Sequence, residues 1–187
     1  MLLYCTFLLL ILAFIVIFSK NFNVKYVVTW LLIITSIATV YGLRDEILNS
    51  KLVTVFLPYR GYVAKDGSLE FKQSSNGHFY IQAEINQKNI TFLLDTGATD
   101  TVLTLKDAEK IGVNLKEIKN FKRYQTANGT VLAGSVEIPK IKIGSFVVEN
   151  VRVSVNTYPM STSLLGMNLL KHFDFTIKND RLIIYHD

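Results

Sequence analysis

The sequence predicts an all-β domain, a small β-barrel with a short helix near its C-terminus, preceded by two transmembrane helices. Two apolar runs without charge lie near the N-terminus. After them, short runs of β-branched and aromatic residues alternate with turn dipeptides, and only two segments carry helix signals. Half of the 187 residues are hydrophobic and the mean hydropathy is +0.30, which is high for a soluble domain.

The two apolar runs, LLYCTFLLLILAFIVIF (2–18) and YVVTWLLIITSIATVY (26–41), predict the two membrane helices. At 1.5 Å per residue each is roughly 25 Å long, close to the hydrocarbon thickness of a bilayer. A cleaved signal peptide is the alternative for the first run, but that run lacks a basic start and an A-x-A-like cleavage site. We therefore expect residues 2–41 to contact the lipid bilayer.

The basic residues around these runs bear on orientation. Lys20 and Lys25 lie in the short loop, which favours a cytoplasmic loop and a multi-pass protein whose C-terminal domain is on the non-cytoplasmic side. Arg44 and Lys51 flank the second run at similar density and favour the opposite orientation.

Charge and cysteine content exclude several classes of function. All 15 acidic residues and 18 of the 20 basic residues follow residue 41, so that segment has a net charge of +3, too small to indicate nucleic-acid binding. The single cysteine, Cys5, allows neither an intrachain disulfide nor a cysteine zinc site. The spacing of the three histidines is not that of metal ligands, so we expect no metal and no cofactor. These histidines are His78, His172 and His186.

Residues 42–67 have mixed charges, one Pro and three Gly, and predict a linker with a short β-like piece, LVTVF. Residues 68–187 predict the β domain. HFYIQAEI and NITFLLD flank Asn86-Gln87 as a hairpin, TVLAGSVEI and IKIGSFVVENVRVSV follow, and FDFTIK and RLIIYHD flank Asn179-Asp180.

Two helices are predicted in this domain. TLKDAEKIG has Thr104 as an N-cap, Asp107 in the first turn and Gly112 as a C-terminal stop. LLGMNLLKHF is the second, shorter helical segment.

The stretch FLLDTGATDTVL places one carboxylate, Asp95, directly after an apolar strand. A buried carboxylate is costly unless its surroundings compensate, so Asp95 is either a surface turn residue or a residue held toward a cleft. The small residues after it let backbone N–H groups approach the carboxylate. Hydrolysis of an amide needs a base and an acid, and two adjacent carboxyl groups sharing one proton supply both. A chain with one such motif would obtain its second carboxyl group from a two-fold dimer.

At these residues the sequence resembles a known family. LLDTGAT resembles the active-site loop of retropepsin-type aspartic proteases, whose subunits each donate one Asp-Thr-Gly to a homodimer. LLGMNLL resembles the apolar-apolar-Gly motif that packs beside that loop, and Asn128-Gly129 falls where the family has its flap hairpin. Together with NGHFYIQAEIN, these motifs are most similar to the membrane-anchored bacterial branch, including the rickettsial protease, over residues 68–187.

The resemblance implies a role for each matching residue. Asp95 would be catalytic, Thr96 would grip the partner loop, and Gly97 would contact the substrate backbone. Ala98 and Thr99 would complete the active-site loop. Asn128 and Gly129 would form the flap. The loop would be supported by Leu164, Leu165 and Gly166.

The implied function is a membrane-anchored aspartic endopeptidase of the bacterial cell membrane, a homodimer that hydrolyses peptide bonds. The alternative is a non-catalytic module that grips an extended peptide by backbone pairing. Thr99 and Met167 stand where many retroviral enzymes have Asp and Arg, so the ion-pair network of those enzymes is not expected here.

Overall fold

A computed structural model describes residues 11–12, 14–15, 22–48, 50–118, 120–126 and 129–185 of the chain. Contacts within the chain divide it into two compact units, residues 1–49 and residues 50–187.

The first unit contains helix α1, Phe22–Gly42, and the short helix α2, Arg44–Leu48. The segment Val24–Gly42 is long and apolar enough to cross a membrane. Its three threonines, Thr29, Thr35 and Thr39, each donate a hydroxyl hydrogen bond of 2.7–2.8 Å to the carbonyl four residues earlier. These hydroxyls are therefore satisfied within the helix, as an apolar environment requires.

Among the described residues there is one candidate membrane helix, whereas the sequence predicted two. Residues 11, 12, 14 and 15 of the first predicted span are helical, and the rest of the run 2–18 lies outside the described residues. A helix with the length and composition of Val24–Gly42 is compatible with a membrane anchor and with a signal sequence.

The second unit begins with helix α3, Lys51–Phe56, and a 3₁₀ turn, Pro58–Arg60. The piece LVTVF is therefore helical, contrary to its β-like composition. Thr54 is only 2% exposed in this helix, so packing overrides the weak strand preference of β-branched residues.

Eleven strands make the second unit predominantly β, and they form two sheets in the described part of the chain. The smaller, antiparallel sheet has the order β1-β2-β11-β10, with strands Tyr62–Val63, Leu69–Lys72, Arg181–Tyr185 and Asp174–Lys178. The larger sheet has the order β3-β4-β9-β5-β8-β7-β6, with strands Tyr80–Ile85, Lys88–Leu94, Ser163–Leu165, Val102–Leu103, Phe146–Asn156, Gly129–Ile143 and Phe121–Thr126.

The pairing within the larger sheet positions the loop after β4. Strands β4 and β9 are parallel and in register, with Leu94 opposite Leu165. One further pair, Glu84 with Lys142, links β7 back to β3. A central antiparallel ladder of ten residue pairs joins β7 to β8.

The predicted hairpin at Asn86-Gln87 is confirmed. Both residues have positive φ, 49° and 61°, as the two central residues of a type I′ turn require, and Ile85 pairs with Lys88 across the turn. Strands β10 and β11 confirm the final hairpin, whose turn residue Asn179 has φ of 54°.

The first predicted helix is also confirmed, as α4, Leu105–Lys110. The Thr104 side chain accepts a 3.0 Å hydrogen bond from the Asp107 N–H, and Gly112 after the helix has φ of 86°. This is the capping geometry that the sequence indicated.

The second predicted helix is shorter than expected. Only Met167–Leu170 is helical (α5), because Leu164 and Leu165 belong to β9 and pair with β4. Leu165, Leu169 and Leu170 are fully buried in the core. Phe92 on β4 is fully buried as well, and burying a side chain of this size stabilises the fold by roughly 1.5–3 kcal/mol. Strand β4 and helix α5, which flank the loop that follows β4, are thus both anchored in the core.

Candidate active site

Asp95 lies immediately after β4, at the point where the strand leaves the sheet. Its N–H donates to the Leu165 carbonyl (3.1 Å), which extends the β4–β9 ladder by one residue. The Gly97 N–H donates to Asp95 Oδ1 (2.9 Å), and the Ala98 N–H donates to the Asp95 carbonyl (3.2 Å). The half-buried carboxylate is therefore held in place by a main-chain donor.

The residues beside Asp95 leave it accessible. Thr96, Gly97 and Thr99 are exposed, and Ala98 is half-buried. A Cβ added at Gly97 would lie 3.2 Å from Asp95 Oδ1, tighter than ordinary van der Waals contact. Glycine at this position therefore leaves one oxygen of the carboxylate free of a neighbouring side chain.

Gly166 and helix α5 hold the other side of the loop. A Cβ at Gly166 would lie 2.4 Å from the Asp100 carbonyl oxygen and 2.9 Å from that of Ala98, so only glycine allows this approach. The Met167 N–H donates to the Ala98 carbonyl (2.8 Å), and the Asn168 N–H donates to the Thr99 carbonyl (3.0 Å).

Asn168 is a supporting residue that sequence reasoning missed. Its side-chain oxygen accepts from the Thr101 N–H (2.7 Å) and from the Thr101 hydroxyl (2.8 Å), and its amide donates to the Arg152 carbonyl (2.6 Å). The Gly166 N–H donates in turn to the Thr101 hydroxyl oxygen (3.2 Å). The only indication of Asn168 in the sequence was that it is a polar residue inside the apolar motif LLGMNLL.

A cavity of about 470 Å³ opens beside Asp95. Its volume and its mixture of apolar and polar walls are typical of ligand sites. Five of the predicted site residues line it: Asp95, Gly97, Ala98, Thr99 and Leu164. Other lining residues come from the loop before β5, from β5 to β8 and from the loop before β9: Asp100, Val102, Tyr124, Gln125, Val131, Ala133, Asn156 and Met160.

The other predicted site residues lie around this cavity or outside the described chain. Leu165 and Gly166 are buried beneath the loop, and Thr96 is exposed next to Asp95. Gly129 is the first residue of β7, with φ of 115°, and pairs with Thr126. Gly129, predicted as a flap residue, thus lies at the start of a strand of the β6–β7 hairpin, and Asn128 is outside the described residues.

A polar cluster, which we call the Tyr124 cluster, contributes two residues, Tyr124 and Asp100, to the cavity lining. The Tyr124 hydroxyl donates to Asp100 Oδ2 (2.5 Å) and lies 2.6 Å from Ser154 Oγ, while Lys122 Nζ is 3.4 Å from the same carboxylate oxygen. Burial, and next the hydrogen bond to Asp100, raises the pKa of Tyr124 above 10.0, so the hydroxyl keeps its proton. The cluster joins strand β6 to the loop after Asp95.

The Tyr124 cluster was not predicted, because its members lie 24 and 30 residues apart in sequence. In the described part of the chain, no group of three or more His, Cys, Asp or Glu residues is arranged to hold a metal ion.

Comparison with known proteins gives three kinds of match for this arrangement. A family model described as gag-polyprotein putative aspartyl protease matches residues 81–172, a range that contains both Asp95 and Gly166. The crystal structure of a retropepsin-like aspartic protease from Rickettsia conorii is 35% identical, covers 63% of this chain and 90% of that protein, and superimposes with a TM-score of 0.57.

Two bacterial proteins are similar over most of the chain. An uncharacterized protein of Rickettsia prowazekii is 35% identical over 158 residues, 83% of this chain and 68% of that protein. An uncharacterized protein from the cobV 5′ region of a Sinorhizobium species is 30% identical over 155 residues, 79% of this chain and 66% of that protein. The chain thus spans about two thirds of the length of each relative. With its Asp-Thr-Gly loop, supporting glycine and predominantly β fold, this chain belongs to the retropepsin-like aspartic protease family.

Proposed function

We propose that this protein is a membrane-anchored aspartic endopeptidase, active as a homodimer with one catalytic Asp95 in each subunit. The observation that carries the proposal is the placement of Asp95: a main-chain N–H holds one carboxylate oxygen, and the group lines an open cavity. A carboxylate fixed in this way is suited to bind a water molecule next to a substrate carbonyl.

The second carboxyl group has to come from another copy. Asp100, the other carboxylate among the described residues that line the cavity, is already bonded to Tyr124 and Lys122 through its Oδ2 atom. A two-fold axis next to the exposed Thr96 would bring two Asp95 side chains together and let each Thr96 contact the partner loop.

The chemistry follows from two carboxyl groups that hold one proton between them. The ionised group takes a proton from water as the water oxygen attacks the scissile carbonyl carbon, and the protonated group gives its proton to the carbonyl oxygen. Collapse of the resulting diol breaks the C–N bond, with a proton passing to the leaving amine. Water is the nucleophile, so no covalent bond forms between the enzyme and the substrate.

The cavity walls support a peptide substrate. Val102, Val131, Ala133 and Leu164 contribute apolar surface to the cavity, which favours hydrophobic substrate side chains. The β6–β7 hairpin, in which Gly129 pairs with Thr126, provides backbone close to this surface and would act as the flap.

The membrane anchor in this proposal is the helix Val24–Gly42. Two copies confined to one membrane plane meet at a higher effective concentration than free copies do. Anchoring would therefore favour dimerisation in a chain that has Thr99 and Met167 in place of the retroviral Asp and Arg.

The test compares three full-length proteins in detergent micelles at mildly acidic pH: the parent, Asp95→Asn and Asp66→Asn. Asp66 is an exposed carboxylate in the turn before β2, so its variant makes the same chemical change away from the cavity. We expect the parent and Asp66→Asn to cleave a denatured protein and Asp95→Asn to be inactive. Equal cleavage by all three, or peptide binding without cleavage by a folded parent, would reject the proposal, and the latter result would identify a binding module.

A further inference from the structure

Helix α3, Lys51–Phe56, presents apolar side chains to solvent. Thr54 is 2% exposed, whereas Val55 is 54% and Phe56 is 84% exposed, and Phe56 is the most exposed large hydrophobic residue of the described chain. At 3.6 residues per turn, Phe56 lies about 200° around the helix from Thr54, so it points away from the surface that buries Thr54. Apolar residues exposed singly are ordinary, but two adjacent ones on a short helix call for an explanation from their surroundings.

Val55 borders a hollow that contains two basic side chains. The hollow has a volume of about 90 Å³, and its lining includes Val55, Lys72 and Arg181. Arg181 is paired with both acidic residues of the hollow, Glu70 (2.9 Å) and Asp180 (4.0 Å). Lys72 is half-buried and forms no ion pair with any described residue, so its charge is available to an anion from outside the chain.

The segment around α3 is basic. Residues 50–64 contain two basic residues, Lys51 and Arg60, and no acidic residue, and the charges of Lys65 and Asp66 in the next turn cancel. Arg60 lies in the 3₁₀ turn directly after the helix and forms no ion pair with a described residue. The exposed apolar side chains of α3 therefore have basic neighbours whose charge the described part of the chain does not neutralise.

The length of the chain keeps α3 close to the candidate membrane helix. Eight residues separate the end of α1 at Gly42 from the start of α3 at Lys51. A fully extended chain of this length spans about 30 Å, and the five helical residues of α2 shorten it. If α1 crosses a bilayer, α3 is therefore within reach of the lipid headgroups.

Lipid headgroups fit this surface better than a second copy of the chain does. Aromatic and aliphatic side chains with basic neighbours are typical of segments that lie in the membrane interface, where the apolar side chains enter the headgroup region and the cations contact lipid phosphates. A symmetric contact between two copies would instead bring the same basic residues together, which is unfavourable.

We propose that α3 binds the bilayer surface, with its exposed apolar side chains in the headgroup region and with Arg60 and Lys72 next to anionic lipid phosphates. The inference rests on the membrane anchor of the proposed function and adds a second, peripheral contact that the β unit itself makes. Two contacts restrict the rotation of the β unit, so every copy presents its cavity at the same inclination to the membrane. Copies held in one orientation lose less freedom when they pair.

Fluorescence quenching tests this contact, because Trp30 is the only tryptophan in the sequence. All proteins carry Asp95→Asn, so that self-cleavage cannot remove the segment. They are reconstituted at full length in vesicles of phosphatidylcholine and phosphatidylglycerol, with and without bromine on the acyl chains. Trp30→Phe combined with Phe56→Trp moves the fluorophore to α3, and Trp30→Phe combined with Phe121→Trp moves it to an exposed site on β6.

Bromine near the glycerol end of the acyl chains should quench the Phe56→Trp protein, whose emission should also lie at shorter wavelength than in the Phe121→Trp protein. The Phe121→Trp protein should lose no fluorescence in the same vesicles. An unquenched Phe56→Trp protein, or equal quenching of the two proteins, would overturn the proposal.

Charge reversal gives a second test in the Phe56→Trp protein. Quenching should be stronger with phosphatidylglycerol than with phosphatidylcholine alone, and Arg60→Glu should reduce it, because the new carboxylate repels anionic headgroups. Lys140→Glu makes the same change of charge sign on β7 and should leave the quenching unchanged. Equal quenching in the Arg60→Glu and Lys140→Glu proteins would overturn the proposed contact with lipid phosphates.

The anchor, the surface contact and the protease fail separately. Quenching of Trp30 by bromine deep in the acyl chains reports insertion of α1. If Trp30 is quenched and the Phe56→Trp protein is not, the anchor stands and the surface contact is rejected, whereas an unquenched Trp30 rejects both. Neither measurement depends on cleavage, so a proteolytically inactive parent with a quenched Phe56→Trp protein would reject the protease and support the surface contact.

Discussion

Replacing Gly166 with alanine is predicted to displace the loop that carries Asp95. The added Cβ would lie 2.4 Å from the Asp100 carbonyl oxygen and 2.9 Å from the Ala98 carbonyl oxygen, and both are main-chain atoms that cannot rotate away. Overpacking a core costs about 1–3 kcal/mol, and contact with backbone places this variant at the upper end of that range. Gly166 itself has φ of −95°, so the effect comes from contact and not from backbone strain.

The displaced loop would also lose hydrogen bonds. The two main-chain bonds from Met167 to Ala98 and from Asn168 to Thr99 each contribute about 0.5–1.5 kcal/mol. We therefore expect the free energy of unfolding of the β unit to fall by about 5 kcal/mol in total. At about 2–4 °C per kcal/mol, the midpoint of thermal unfolding should drop by about 10–20 °C.

The assay is thermal unfolding of the full-length protein in micelles, followed by circular dichroism of the β signal. Gly134→Ala is the matched control, because its Cβ would lie 2.2 Å from Cγ2 of the Ile118 side chain, which can shift, and no main-chain atom is among its nearest neighbours. We expect it to lose only about 1–3 kcal/mol. The reasoning would be refuted if the unfolding midpoint of Gly166→Ala were within about 2 °C of the parent midpoint. It would also be refuted if the midpoints of Gly166→Ala and Gly134→Ala were the same.

Three further predictions concern single side chains. Tyr124→Phe removes the hydroxyl bonded to Asp100 and should lower the free energy of unfolding by about 1–3 kcal/mol and speed amide hydrogen exchange in β6, which unchanged exchange would contradict. Burial, and next the hydrogen bond to Glu70, raises the pKa of Tyr62 from 10.0 to about 12. The stability that the protonated Tyr62 hydroxyl contributes is therefore complete below pH 10 and is lost as the pH rises through about 12. Unfolding midpoints measured across that range should fall less steeply in Tyr62→Phe than in the parent, and parallel slopes would count against this assignment. Thr104→Ala should cost about 1 kcal/mol in urea unfolding through loss of the α4 cap, whereas Thr104→Ser should keep most of it.

Local chemistry accounts for the parts of the fold that the sequence predicted well. The hairpins at Asn86-Gln87 and Asn179-Asp180 combine alternating β-branched strands with residues that tolerate positive φ. Helix α4 was predictable because Thr104 and Gly112 mark its two ends. These signals lie within a few residues of the structure that they specify.

Long-range pairing explains the differences. Leu164 and Leu165 read as helical with the residues after them, but parallel pairing with β4, about 70 positions earlier, draws them into a strand. The LVTVF piece is helical where its composition indicated a strand, and its Thr54 is buried.

The candidate site shows the same division. The position of Asp95 and the small residues after it follow from the motif and the apolar strand before it. The Tyr124 cluster and the bracing by Asn168 join elements that only the folded chain brings together, so no spacing in the sequence indicated them.

The most direct test of the central claim, that two copies of Asp95 form one active site, is subunit mixing. Parent and Asp95→Asn chains are co-expressed in equal amounts, tandem affinity capture verifies mixed dimers, and cleavage is measured at constant total protein. If each site needs Asp95 from both copies, only parent–parent dimers cleave, and about one quarter of the parent activity should remain. Retention of about one half would mean that each chain acts alone, and it would contradict the shared-carboxylate account.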